Sequence, residues 1–255
     1  MIITNLLRLG MIVLGLLASI SISSAQQARK PAPTAAELKK NIAQINSQGE
    51  EGDGDVLIEQ TAKRLATYLK SHELSAAEAN KLGLELSVDS KDATQFRIYT
   101  FDYHSGGTRG QVNRPVMQWK NQAGKLFAYA PAIECGFYEI HKLNSLGRTM
   151  YLLLGQEQGS SRDMHYIAHV VAVNGDYLLL DTPAFDQRAS LTLCNVTLEF
   201  DARQQVLRLD VTDFDFDYFQ PEDEPYQLLK QWGFINLTET RTLALKFNGQ
   251  RFVKP

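Results

Sequence analysis

From Leu84 onward the chain alternates apolar and polar residues in short runs separated by turn sequences, and this period of two restricts the fold more than any other feature. Asn174-Gly175 lies between runs at 165–173 and 176–181, and Asn248-Gly249 between runs at 243–247 and 250–253. Asn-Gly is the pair that accepts the two positive φ angles of a type I′ hairpin turn. Two further hairpins are expected, one where 116–120 and 125–130 enclose 121–124, the other where 191–200 and 206–211 enclose 201–205. Hairpins join antiparallel neighbours. No helical pattern alternates with these strands, which excludes the parallel-sheet enzyme folds. The expected class is α+β, mainly β, with an antiparallel meander over 84–255 built as a sandwich, a rolled sheet or a partial propeller.

The preceding stretch, 34–83, carries a different period. Leu38, Ile42 and Ile45 fall on one helical face, and Ile58, Ala62, Leu65 and Leu69 form a second, longer stripe after the Gly/acidic linker 48–55. Thr34 with Glu37, and Ser75 with Glu78, have the spacing of capping boxes, in which each side chain satisfies a backbone donor left open at a helix start. Gly83 is placed to end the last helix. These stripes need an apolar partner, and a sheet face is the nearest one.

Residues 1–25 have the layout of a cleavable secretory signal: Arg8, an apolar run over 9–22, then Ser23 and Ala25 at the small-residue positions of the cleavage site. The polar, proline-containing 26–33 follows as a flexible leader. With no cysteine near the cleavage site the chain is not expected to be a lipoprotein, and no later run is apolar enough to cross a bilayer. The expected location is periplasmic or secreted. Without Arg8 the 26 basic residues become 25 against 29 acidic ones, a balance that excludes nucleic acid as partner. In an oxidising compartment the two cysteines, Cys135 and Cys194, either pair, if their Cα atoms come within ~7 Å, or stay as buried free thiols.

Several clusters invite a chemical reading. His165 and His169 have the outer spacing of a zinc helix, but the segment is strand-like, which separates them by about 13 Å at ~3.3 Å per residue. Asp213, Asp215 and Asp217 alternate with Phe214, Phe216 and Tyr218, the densest carboxylate array in the chain and the weak candidate for Ca²⁺. The strand 96–104 places Tyr99, Phe101 and Tyr103 on one face, beside the Gly-rich loop of Gly106, Gly107, Thr108 and Arg109. Flat rings next to glycines make a platform for a sugar or peptide, with Tyr99, Tyr103, His104 and the loop as its residues. More often such a strand is buried on both faces, with the glycines serving the turn. No catalytic motif and no cofactor fingerprint is present; Asp102, His104 and Glu134 are the acid and base candidates if the protein is a hydrolase.

The run Phe96-Arg-Ile-Tyr-Thr-Phe-Asp-Tyr-His-Ser-Gly-Gly-Thr108, with Val116-Met-Gln-Trp-Lys120 and Arg148-Thr-Met-Tyr-Leu-Leu-Leu154, resembles the core of a group of exported β-rich proteins of Bacteroidota-type bacteria, over 84–173. Those proteins show an aromatic strand, an Asp, a polar loop and Gly-Gly-Thr, with Trp where this chain has Phe101. The resemblance implies a periplasmic or secreted setting and a β-rich fold, and no activity. The leading expectation is therefore an exported non-catalytic binding or structural module for envelope polymer, peptide or another protein. A hydrolase with acid and base on its strands and a Ca²⁺-stabilised structural protein are the alternatives.

Overall fold

Both capping boxes form in the computed structural model, which describes residues 31–47, 54–89, 91–92, 94–104, 110–161, 163–211, 222–232 and 242–255. At the start of α1 (Ala35–Ser47) the Thr34 N–H donates to Glu37 Oε2 (2.8 Å) and the Glu37 N–H to Thr34 Oγ1 (3.3 Å). Ser75 and Glu78 repeat the exchange at α3 (Ala76–Lys81), and Gly83, at φ +81°, stops it. Between them, α2 (Gly54–Leu69) buries Ile58, Ala62, Leu65 and Leu69 on one side, as its spacing requires.

Among the described residues every pairing between the strands that follow is antiparallel, and these strands form three separate sheets rather than one rolled sheet. The first runs β1 (Glu85–Val88), β2 (Phe96–His104), β3 (Gln111–Lys120), β4 (Leu126–Tyr129) in order. The second runs β5 (Gly136–Lys142), β6 (Thr149–Gln158), β7 (Met164–Asn174), with β8 (Tyr177–Leu179) and β9 (Ser190–Cys194) both pairing with β7. β10 (Thr197–Asp201), β11 (Val206–Asp210), β12 (Thr242–Phe247) and β13 (Phe252–Val253) make the third, with α4 (Glu224–Gln231) between β11 and β12 in the chain.

Side-chain alternation stacks these layers. Tyr99, Phe101 and Tyr103 join Leu38, Ile42, Leu65 and Leu69 in one core between the helices and the first sheet. Phe96, Ile98, Met117 and Trp119, from the other face of that sheet, meet Tyr151, Leu153, Ile167 and Val171 of the second. Leu152, Leu154, Ala168 and Val170 then turn to Leu207, Leu209, Leu243 and Leu245 of the third. The first two sheets are thus buried on both faces. The aromatic strand 96–104 is an interior strand, and its Tyr99 face is covered, which removes the open stacking platform.

Two turns and one strand differ from expectation in detail. Asn174 pairs with Tyr177, so the two-residue loop is Gly175-Asp176, and of these only Gly175 has positive φ (+60°). That is the type II′ pattern, with Gly first, rather than I′. Phe247 pairs with Phe252 across the four residues 248–251, where Asn248 Oδ1 accepts from the N–H of Gln250 and of Arg251 (3.0 Å each) and Gly249 takes φ +98°. The expected single strand 191–200 is broken at Asn195 (φ +51°) into β9 and β10, which belong to different sheets.

Candidate functional site

The covering of the aromatic face is fixed by polar contacts to the connector between α2 and α3. Gln118 on β3, only 1 % exposed, donates from Nε2 to the carbonyls of Leu69 (2.6 Å) and His72 (2.8 Å), capping the open end of α2. The Tyr99 hydroxyl donates to Gln118 Oε1 (3.2 Å) and accepts from the Leu74 N–H (3.1 Å). Arg97 and Lys120 both reach Glu73, at 2.5 Å each. Tyr99 is therefore structural.

Where the first sheet meets the second, polar side chains gather instead. Pro115, which has no N–H to donate, sits on β3 beyond the end of β4, where that side of the strand needs no ladder bond. The chain at 131–134 crosses there and is held by Arg114, 3 % exposed, whose Nη1 donates to the carbonyls of Pro131 and of Ile133 (3.2 Å) and whose Nη2 pairs with Glu59 of α2 (2.5 Å). β5 then opens with a bulge: Phe137 pairs with Gly155 and Glu139 with Leu154, leaving Tyr138 as the extra residue. A bulge re-aims a side chain. Tyr138 is 40 % exposed.

Two cavities lie around this point and share Phe137 and Glu157 as walls. One, of about 300 Å³, is lined by Glu85, Gln111, Asn113, Tyr138, Gln156 and Gln158. The other, of about 560 Å³, is lined by Arg114, Glu134, His169, Ser190 and Thr192. Glycines make the close approaches possible. A Cβ on Gly136 would stand 2.9 Å from Asn113 Nδ2, and one on Gly155 would stand 2.5 Å from Cys135 Sγ and 2.8 Å from the Phe137 ring. On β7 the sequence-derived pair separates as the strand reading requires: His165 Nδ1 lies 3.3 Å from Glu157 Oε1, whereas His169 lies four residues on, opposite Ser190. His169 Nε2 is buried without a hydrogen-bond partner among the described residues. Desolvation lowers the pKa of His169, against the opposing pull of the Leu180 carbonyl and the Asp181 carboxylate, so the ring is held neutral. Burial pushes the Tyr138 hydroxyl up to about 12, with Glu139 adding to it.

The remaining candidates fall as follows. Tyr103 is buried and its hydroxyl donates to Glu134 Oε1 (2.8 Å), so strand alternation puts Asp102 and His104 on the opposite face from Glu134. The three do not converge. Asp102 instead accepts from the Gln111 side-chain amide. Gly106, Gly107, Thr108 and Arg109 lie outside the described residues; at Gly110, which follows them, a Cβ would be 3.8 Å from Gln158 Oε1. Asp213, Asp215 and Asp217 also lie outside the described residues. Among the described residues no three His, Cys, Asp or Glu side chains are grouped to hold a metal ion, and no helix is long and apolar enough to cross a membrane.

The disulfide weighed for Cys135 and Cys194 is not made; both are free and buried. The register places Cys135 next to Gly136, which pairs with Gln156, and Cys194 opposite His165, so β6 and β7 stand between them. Three strand spacings at ~4.8 Å amount to about 14 Å, twice what a disulfide spans. Burial raises both thiols, Cys135 most, which makes them inert.

Sequence reasoning missed Asn113, Tyr138, Gln156, Glu157 and Ser190, which come from four strands. One local signal pointed at them: Gly136 and Gly155 interrupt strand patterns, and an isolated glycine there marks a close approach. Compared with protein-family models, curated proteins and solved structures, the chain matches none.

Proposed function

We propose that the protein is exported and serves as a non-catalytic binding module of the cell envelope or extracellular space, taking its ligand in the polar groove around Phe137 and Glu157. The observation that carries this reading is the pair of adjoining cavities, about 300 and 560 Å³, lined by polar side chains from both sheets. Those volumes are in the range of small-ligand sites, ~300–1,000 Å³. A buried imidazole nitrogen without a partner, in a wall built from rigid strands, favours an acceptor held ready for an incoming donor. Binding rather than catalysis is favoured because Glu134 is tied to the Tyr103 hydroxyl, Glu157 to His165, and Ser190 makes no hydrogen bond with His169. Export is supported by the signal layout of 1–25.

The test is a melting series of the chain from Gln26 onward with three separated envelope fractions: muropeptides, soluble polysaccharide and peptides. A ligand at one hundred times its Kd stabilises by ~2.7 kcal/mol, roughly 5–10 °C for a chain of this size. One fraction is expected to give such a shift, and Glu157→Gln combined with His169→Phe to abolish it. A flat series over all three fractions refutes the binding reading.

A further inference from the structure

Resting on that reading, we infer that the smaller chamber of the groove recognises a neutral saccharide chain. Gln111 and Asn113 on β3 and Gln156 and Gln158 on β6, four residues that carry primary amides, line it. Gln111 already donates to Asp102 and Gln158 is also engaged, whereas the Asn113 and Gln156 amides each offer a donor and an acceptor in one plane, the pairing that neighbouring ring hydroxyls, which both give and take hydrogen bonds, require. Glu85 and Glu157 add acceptors for hydroxyl donors. The Asn113 and Gln156 amides make no hydrogen bond to the described residues, so they do not have to give up a protein partner to meet a ligand. Asn113 has its place because Gly136 carries no Cβ: one there would stand 2.9 Å from Asn113 Nδ2. Tyr138, lifted out of the strand by the bulge, presents a half-open ring beside these amides, and the apolar C–H face of a pyranose packs on such a ring. Its hydroxyl stays a neutral donor at any physiological pH.

Charge counts against an anionic ligand in this chamber. The described residues lining this chamber include Glu85 and Glu157 and no Lys, Arg or His, which disfavours a phosphate or carboxylate in it. The chamber adjoins the larger one, with which it shares Phe137 and Glu157 as walls. A ligand filling both is longer than one ring, which points to a chain of sugars, with the His169, Ser190 and Thr192 wall receiving the next unit.

The test uses the chain from Gln26 onward on an array of neutral hexose and N-acetylhexosamine oligosaccharides, followed by calorimetric titration of the best binder, of spermidine and of inorganic phosphate. The expected result is binding of an oligosaccharide of two or more units, at least tenfold weaker in Tyr138→Ala and in Gln156→Ala. Both positions are exposed, so the melting temperature should stay within about 2 °C. Gly136→Ala, which drives a methyl group against the Asn113 amide, should weaken binding similarly. His141→Ala, in a separate cavity of about 360 Å³, should leave it unchanged. A silent array, tighter binding of spermidine or phosphate, or binding indifferent to Tyr138→Ala and Gln156→Ala overturns the saccharide assignment. If the array is silent while the peptide fraction still raises the melting temperature, the binding reading survives and the sugar does not. If nothing raises it, both fail.

Discussion

Replacing Gln118 by Met keeps the length of the side chain and removes every hydrogen bond it makes, which isolates what holds the helices over the aromatic face. Two carbonyls, of Leu69 and His72, lose the Nε2 donor at 2.6 and 2.8 Å, and the Tyr99 hydroxyl loses its acceptor at 3.2 Å. The hydroxyl can turn to the Leu74 carbonyl, 3.3 Å away, so the cost falls mainly on the two carbonyls. At ~1–2 kcal/mol for each poorly hydrated group the loss is about 2–4 kcal/mol. For a chain of this size, at 2–4 °C per kcal/mol, the melting temperature should fall by roughly 6–12 °C at the middle of that range. The assay is calorimetry of the chain from Gln26 onward, run beside Tyr99→Phe and the double variant. Tyr99→Phe leaves the Leu74 N–H without its acceptor and should cost about 1 kcal/mol. Because the two side chains bond each other, the double variant should lose less than the sum of the singles. A fall below about 2 °C in Gln118→Met, or strict additivity, would refute the claim that this network seals the helices to the sheet.

Three other outcomes follow from the same contacts. His169 is held neutral by burial, below its ordinary value of 6.5, so the unfolded chain binds the extra proton first. Its contribution to stability is complete above that ordinary value and is lost as pH falls through it toward the depressed folded value; His169→Phe should flatten the stability–pH curve in that window, and an unchanged slope would assign it elsewhere. Denatured without reductant, the chain should take up two equivalents of an alkylating reagent, and the native chain almost none, because both thiols are free and buried; zero uptake after denaturation would mean a disulfide. Gly155→Ala would force a methyl group to within 2.5 Å of Cys135 Sγ and 2.8 Å of Phe137, so melting should show a loss of about 1–3 kcal/mol or more, and a neutral result would mean that β5 is free to shift.

How much of this was legible depends on how local each determinant is. The capping boxes at Thr34 and Ser75 and the stop at Gly83 are decided within four residues, and they stand in the structure where the spacing puts them. The mainly β architecture followed from alternation. Turn type was less accessible, since Asn174 and Tyr177 pair only because the registers of β7 and β8 close there. The break at Asn195 did leave a trace: the buried apolar residues occupy odd positions before it (Leu191, Leu193) and even positions after it (Val196, Leu198), a phase change that one continuous strand cannot make. Alternation alone also could not say which face of 96–104 lies open, because that depends on helices more than twenty residues away in the chain. The groove was hidden for a further reason. Its amides and Glu157 sit near strand ends in β3 and β6, where a polar residue reads as solvent-facing, and only the stacking of two sheets turns those ends toward one another.

The most direct test of where the ligand sits is a heteronuclear NMR titration of the chain from Gln26 onward with the oligosaccharide that binds best. The side-chain amide signals of Asn113 and Gln156 and the backbone amide of Tyr138 are predicted to shift together with one saturation curve, while Tyr99 and Gln118 stay in place. Shifts centred on Tyr99 and its covering helices, with Asn113 and Gln156 unmoved, would contradict the account.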